Sequence, residues 1–395
     1  MTDTLTSPAD PRLAIAMRFG ETVLSPMKRA FIGKDEIIDL FGIGLVGREN
    51  VFLLGPPGTA KSALVQDLAR RLDGQVFDYL LTRFTEPNEL FGPFDIRKLR
   101  EGELVTNTDG MLPEASLVFL DELLNANSAI LNSLLLALNE RVFRRGRETR
   151  NLPTLMVVGA SNRLPEEEAL NALFDRFLLR VPCDNVPPEQ LADVLDAGWQ
   201  LDVEASKQDT DQSQRISVND VRQMQSLLHD VDVMAVREAY TDLVQRLRHA
   251  GIDVSDRRAV KFQRLMAASA ILCGRMTVQP SDLWVLRYTW ETEEQQQVLA
   301  TLVQEAIERH VVEDEQARHP RSHGDDAPDP EALARDLDRI ASRFSEENLS
   351  DADRSYLRDQ LSVLAGRCAW VREEQQRQFL QKRVDDIWKI SGEQS

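Results

Sequence analysis

The sequence predicts an α/β protein, a parallel sheet flanked by crossover helices, followed by an all-helical region and a helical C-terminal extension. Two apolar runs and one change of character carry that reading. Val51 to Leu54 is an unbroken apolar run that feeds into Gly55-Pro56-Pro57-Gly58-Thr59-Ala60-Lys61-Ser62, after which Leu64, Leu68 and Leu72 recur at helical spacing. Leu117-Val118-Phe119-Leu120 is a second run without alternation, as expected of a strand buried on both faces, and it ends in Asp121-Glu122. Past Pro182 the strand-like runs stop and helical periodicity takes over.

Taken in order, the spacing predicts a helix over Lys34–Gly47, a strand over Asn50–Leu54, a helix over Ser62–Leu72 and a strand over Gln75–Leu81. Ala129–Glu140 reads as a helix and Leu155–Ala160 as a further buried strand that ends at the polar pair Ser161-Asn162. Between them the basic stretch Arg141–Arg150, centred on Gly146, has the make-up of a hairpin. Such alternation of strand and helix signals implies a parallel sheet with crossover helices. Asp184–Arg215 is polar and acid-rich and reads as a hinge. Helices follow over Val233–His249 and Ser255–Leu272. Ser217 with Asp220, and Pro280-Ser281-Asp282, have the residue types of helix starts. Arg318–Pro330, with His319 and His323, reads as a linker. Leu357, Leu361, Leu364, Cys368 and Val371 mark one apolar face of a charged helix, suited to packing or self-association.

The first motif has the chemistry of a nucleoside triphosphate clamp. A strand delivers a glycine-bearing loop whose amides converge on phosphate oxygens, and a helix N-terminus adds its partial positive charge. Lys61 would neutralise the β and γ phosphates, and the Ser62 hydroxyl would ligate Mg²⁺, a hard cation that takes oxygen ligands. Ala60 stands where a glycine normally precedes the lysine, which is harmless only if φ there is negative. Acids at the C-terminal end of a parallel strand lie where ligands bind in open α/β sheets. Asp121 would hold Mg²⁺ through water while Glu122 orients and polarises the attacking water.

At 395 residues the chain is long enough for two or three domains. Its net charge of −18 argues against a nucleic-acid motor that relies on broad phosphate neutralisation, so no nucleic-acid partner is expected. Three widely spaced cysteines, Cys183, Cys273 and Cys368, and the lack of a leader pattern fit a cytoplasmic protein. No apolar run is long enough to insert into a bilayer.

The order of these motifs resembles the MoxR family of AAA+ ATPases, in its RavA-type branch. The resemblance rests on Gly55 to Ser62, Thr82-Arg83-Phe84-Thr85-Glu86-Pro87 through Pro93, Leu112-Pro113-Glu114-Ala115, Val118 to Glu122, Ile130 to Leu135, Leu138-Asn139-Glu140-Arg141, Ala160 to Pro165, Ala172-Leu173-Phe174-Asp175-Arg176-Phe177, and Val254 to Arg258. It extends from Phe31 to Trp290 and includes the alanine at position 60. It implies an AAA+ P-loop core over residues 26–185, preceded by a tail (1–25). An α-helical lid (216–300) follows, and composition and periodicity add a hinge (186–215) before it and, beyond the resemblance, a helix end with a Pro/Asp-rich linker (301–330) and a helical extension (331–395).

The resemblance also implies residue roles. Asn162 would be the sensor that hydrogen-bonds the attacking water or γ-phosphate. Arg176 would be an arginine finger reaching a neighbouring subunit's nucleotide, and Arg257, with Arg258 as its competitor, a lid arginine sensing γ-phosphate in cis. Asp95–Gly110, turning at Arg100-Glu101-Gly102, would be the hairpin insert of this clade. A finger acting in trans makes a ring a requirement of catalysis, with a hexamer expected. The implied activity is ATP hydrolysis that remodels or activates a protein client, with a von Willebrand A domain protein as partner. The alternative is a slow, ATP-dependent assembly switch or scaffold.

Overall fold

The computed structural model describes residues 10–145, 148–206, 215–310, 319–323 and 374–391, with scattered positions from 334 to 368. The chain divides into two compact units, Met1–Ser322 and His323–Ser395.

In the first unit, helices α1 (Pro11–Phe19), α2 (Ser25–Ala30) and α3 (Asp35–Gly47) lead into strand β1 (Asn50–Leu54). Helix α4 (Lys61–Arg71), the short β2 (Leu72–Asp73) and β3 (Val76–Leu80) follow. Two short helices, α5 (Pro87–Phe91) and α6 (Ile96–Arg100), precede β4 (Leu117–Asp121) and α7 (Ser128–Glu140). Next come β5 (Val142–Arg145), β6 (Glu148–Asn151), β7 (Met156–Ser161), α8 (Glu168–Phe174) and β8 (Phe177–Pro182). The main sheet is parallel throughout, in the order β3-β4-β7-β1-β8. β1 is fully buried, and so is every residue of α3 from Ile37 to Gly47, which explains why both segments read as nearly continuous apolar runs. The basic stretch folds as an antiparallel β5–β6 hairpin.

The helical region comprises α9 (Leu191–Ser206), α10 (Val218–Ser226), α11 (Arg237–His249) and α12 (Asp256–Leu272), then a 3₁₀ segment (Pro280–Tyr288) and α13 (Glu293–Arg309). Ser217 and Asp220 form a reciprocal capping box at α10, and Ser255 caps α12. β9 (Ile216–Ser217), in a stretch read as wholly helical, pairs in parallel with β2.

Four segments differ from expectation. From Pro11 onward the presumed N-terminal tail is helical and packs on the helical region, with Arg12 bound to Asp230 (2.7 Å) and Arg18 to Asp220 (3.0 Å). About half of the presumed hinge is the regular helix α9, in which acids alternate with apolar residues. The insert Asp95–Gly110 is not a β-hairpin. It is closed at its base by an antiparallel bridge between Phe94 and Thr106, but its outgoing arm is α6, capped by Asp95, and the chain turns at Gly102 (φ 82°). The start of the presumed linker is packed into the helical region: His319 is buried and stacked on Trp284 at 4.6 Å, and Arg321 binds Asp39 at 2.9 Å. Trp284 in turn donates to Ser269 Oγ (3.2 Å), which binds the wholly buried Asp282, itself paired with Arg275 (2.7 Å).

Burial pushes His319 down to about 4, against the pull of Asp282 and with help from Lys28, Arg275 and Arg321. The imidazole is therefore neutral in the fold and protonates more readily in the unfolded chain. Its contribution to stability is whole above pH ~6.5 and is lost as pH falls toward 4, by up to roughly 3 kcal/mol. Urea titrations of the protein and of His319→Phe at pH 7, 5 and 4 are expected to show a steeper loss for the unsubstituted chain.

In the second unit, Leu337, Ile340, Leu361 and Cys368 cluster with Leu380, Val384 and Ile387 of α14 (Glu374–Ser391). The apolar face expected there is used for packing, with Leu357 also buried, while Leu364 and Val371 lie outside the described residues. Among the described residues no helix is long and apolar enough to cross a membrane.

Candidate active site

Three neighbouring strands of the sheet, β4, β7 and β1, end at one edge, and each brings a motif there. β1 runs into Gly55, whose amide donates to Ser161 O (3.0 Å) at the end of β7, while Cys183 N donates to Leu54 O (2.7 Å) from the end of β8. The loop is pinned between its neighbours. A Cβ on Gly55 would lie 2.1 Å from Cys183 O, so only glycine allows this approach. Thr59 Oγ1 donates to Pro56 O (3.0 Å), and the buried Cys183 thiol donates to Thr59 O (3.4 Å). Gly58 takes φ 85°.

Ala60 lies in the left-handed region, at φ 66° and ψ 20°, so the condition of negative φ is not met. An L-residue there costs about 1 kcal/mol or more, strain of the kind stored at functional sites. Ala60→Gly is expected to raise the unfolding free energy by roughly 1 kcal/mol, read from urea midpoints, with no change of fold.

The fit to a phosphate is good. Helix α4 starts at Lys61 with no side-chain cap, so its first-turn amides have no acceptor within the helix and face the loop as an anion site. Lys61 is buried and folds back, its Nζ donating to Gly55 O and Pro56 O, both at 2.8 Å. Those carbonyls hold the ammonium in place of an anion. Ser62 Oγ makes no hydrogen bond among the described residues, and Asp121 uses Oδ1 to accept from Glu122 N (2.9 Å) and leaves Oδ2 over. A free hydroxyl and a carboxylate oxygen are donors suited to Mg²⁺. Glu122 itself is left-handed, φ 50°, at a sharp exit from β4 into the 3₁₀ turn Leu123–Asn125. Asn162 is exposed immediately after β7, between the Asp121 strand and the loop strand.

The two arginines do not join this cluster. Asn50 Nδ2 donates to Arg176 O (3.3 Å), which fixes Arg176 at the start of β1. Gly55 follows the other end of that strand, roughly 15 Å away at about 3.3 Å per residue. Arg176 is half-buried, and its guanidinium has no ion pair or hydrogen bond among the described residues.

Helix α12 runs antiparallel to α3, with Leu272 against Gly42 and Ala268 and Arg264 against Gly47. Its N-terminal turns therefore extend beyond the β1 start, where Lys261 pairs with the buried Glu49 at 2.9 Å. Arg257 lies one turn further on. That course leads away from the phosphate loop of the same chain, which follows the other end of β1. Arg258, its competitor, is tied to Glu291 and to Thr289 O (3.3 Å), whereas Arg257 is exposed and has no partner among the described residues.

A family model described as the MoxR domain of MoxR-vWA-beta-propeller ternary systems matches residues 18–226, and an AAA lid domain model matches 232–303. The chain belongs to the MoxR family of AAA+ ATPases. Two uncharacterised proteins of Methanocaldococcus jannaschii resemble this MoxR-family chain. One is 35% identical over 270 residues, 68% of this chain and 69% of the relative, and the other 34% over 275 residues, 69% and 71%. The chaperone MoxR1 of Mycobacterium tuberculosis is 26% identical over 187 residues, 46% of this chain and 49% of MoxR1. A crystal structure of a candidate ATPase from Cytophaga hutchinsonii shares the fold, with a TM-score of 0.59 at 21% identity, covering 76% of this chain and 96% of that one.

Sequence reasoning missed Lys34, Cys183 and Arg180 at this core. Lys34 Nζ donates to Asp184 O and ties the loop before α3 to the exit of β8. Arg180, wholly buried within β8, is pushed down to about 9 by burial and then by Arg258. None of the three belongs to a local motif; only the contacts mark them.

Proposed function

We propose that this chain hydrolyses Mg-ATP within a homo-oligomeric, hexameric ring and uses the cycle for chaperone-like remodelling or activation of a protein client in the cytoplasm. The observation that carries this reading is the course of the chain, which sets Arg176 and Arg257 toward the start of β1, away from their own phosphate loop, and so favours service to a neighbour's nucleotide. Heterologous contacts of that kind form a ring when the rotation between protomers closes. The motif order favours the RavA-type branch, the match to a MoxR domain of MoxR-vWA-beta-propeller systems favours a von Willebrand A domain partner, and the likeness to the chaperone MoxR1 favours a chaperone.

Mg²⁺, held by Ser62 and Asp121 and carried on the nucleotide, would supply neutralisation of phosphate charge. Lys61 moves from the carbonyls of Gly55 and Pro56 onto the phosphate oxygens, and the uncapped amides of α4 bind them from the same side. Glu122 orients and deprotonates the attacking water, with Asn162 as second hydrogen-bond partner of that water. Arg176 and Arg257 of the adjoining protomer offset the charge that builds at the γ-phosphate. Glu122→Gln should retain ATP without hydrolysing it. A client or von Willebrand A protein captured from native lysate by Glu122→Gln and not by Lys61→Ala is the expected result. Recovery of the chain alone would favour the assembly switch.

A further inference from the structure

Arg180 is a core cation whose burial the fold itself does not explain. Its side chain is wholly buried, and the acid it pairs with, Asp175 at 3.4 Å, is more than half exposed. A hydrocarbon of similar volume would often be as stable or more so at such a site. What the guanidinium does instead is bridge two places. On one side its plane lies over the Phe174 ring, 4.2 Å from the centroid, and Nη2 donates to Phe174 O and Asp175 Oδ1, both at 3.4 Å. Phe174 and Asp175 are the two residues before Arg176. On the other side Nη1 donates to Trp290 O in the helical lid. The flanking residues of Trp290 are held by the lid's own arginine, Thr289 O and the Glu291 carboxylate both binding Arg258. Arg257 is its neighbour in sequence.

We propose that Arg180 is a positioning residue that locks the Arg176 turn of the core and the Arg257–Arg258 turn of the lid into one unit, presented as a whole to the adjoining protomer's nucleotide. The proposal rests on the reading of Arg176 as a finger that acts in trans. An arginine fork is needed because two carbonyls from different subdomains and one aromatic face are engaged at once, which the single ammonium of lysine cannot do. A guanidinium that shifts by even 1 Å loses up to 10²-fold in the reaction it serves. Loosening Arg180 therefore harms the neighbour's hydrolysis and spares nucleotide binding in the same chain.

Mixed assemblies separate these effects. Arg176→Ala protomers keep an intact site without a finger, and Glu122→Gln protomers keep a finger above a site that cannot hydrolyse. Turnover in the mixture arises only where the first receives Arg176 from the second. With Arg180→Lys added to the Glu122→Gln donor, the mixture is expected to lose about tenfold to a hundredfold in kcat at unchanged KM for ATP. The donor's own ATP affinity should also hold. The loss should follow the donor, and Arg180→Met, which fills the space without a buried charge, should be at least as heat-stable and equally poor as a donor. Full turnover with either donor variant, or an equal loss whichever protomer carries the change, would overturn the proposal. No turnover in the mixture with Arg180 intact would instead remove the finger reading on which it stands.

Discussion

Lys61→Ala is expected to abolish usable nucleotide binding, and Glu122→Gln to leave binding intact while turnover falls by ~10² to 10³. The two changes strike one site at different stages. Lys61 is the buried cation of the loop, already poised on two carbonyl oxygens, and on binding it exchanges them for phosphate oxygens. Two charge-assisted hydrogen bonds at about 1.5–3 kcal/mol each correspond to a loss of ~10² to 10⁴ in affinity. Glutamine in place of Glu122 keeps the size and the left-handed backbone of the native residue but cannot accept a proton from water. Titration of a fluorescent ATP analogue and phosphate release, run on both variants, separate the outcomes. Binding by Lys61→Ala at native strength would remove the site assignment.

Arg176→Ala is expected to lower turnover by ~10³ with no change in ATP affinity, the size of effect found when a finger arginine is withdrawn. The geometry makes both halves of this expectation. The Arg176 backbone is fixed at the far end of β1 from the phosphate loop, so the residue is expected to add nothing to binding in its own chain. Its guanidinium is held without an acid partner among the described residues, so it can be offered to an anion across a subunit boundary. Arg176→Lys is expected to recover little, because a planar fork and a point charge meet phosphate oxygens differently. An Arg176→Ala protein that turns over at the native rate would leave the arginine a surface residue and nothing more.

The inner strands of the central sheet, β1, β4 and β7, were legible because they are buried on both faces, and such strands announce themselves as apolar runs bounded by turn residues. The phosphate loop, the acid pair and the polar end of β7 were legible for a related reason: a parallel sheet brings the C-terminal ends of its strands to one edge, so motif order alone predicts the cluster. What stayed hidden depends on packing between distant segments. The placement of Arg257 follows from the antiparallel course of α12 along α3, set by contacts such as Gly47 with Ala268, and no spacing in the sequence encodes that. The acid-rich stretch that forms α9 was misread because its aspartates suggested a hinge, while Leu191, Leu195, Trp199 and Val203 recur at helical spacing and remain exposed. His319 was misread because its neighbours are typical of linkers, and only Trp284, far away in sequence, makes it part of a core. Ala60 shows the reverse case, where the sequence rule was sound and the structure accepts the strain it warned of.

The claim that catalysis is completed between protomers is tested most directly by turnover per protomer against protein concentration, with light scattering on the same samples. Specific activity is expected to fall toward zero as dilution takes the ring apart, and to recover on reconcentration. A monomer that keeps its full rate at the lowest concentration would contradict the account.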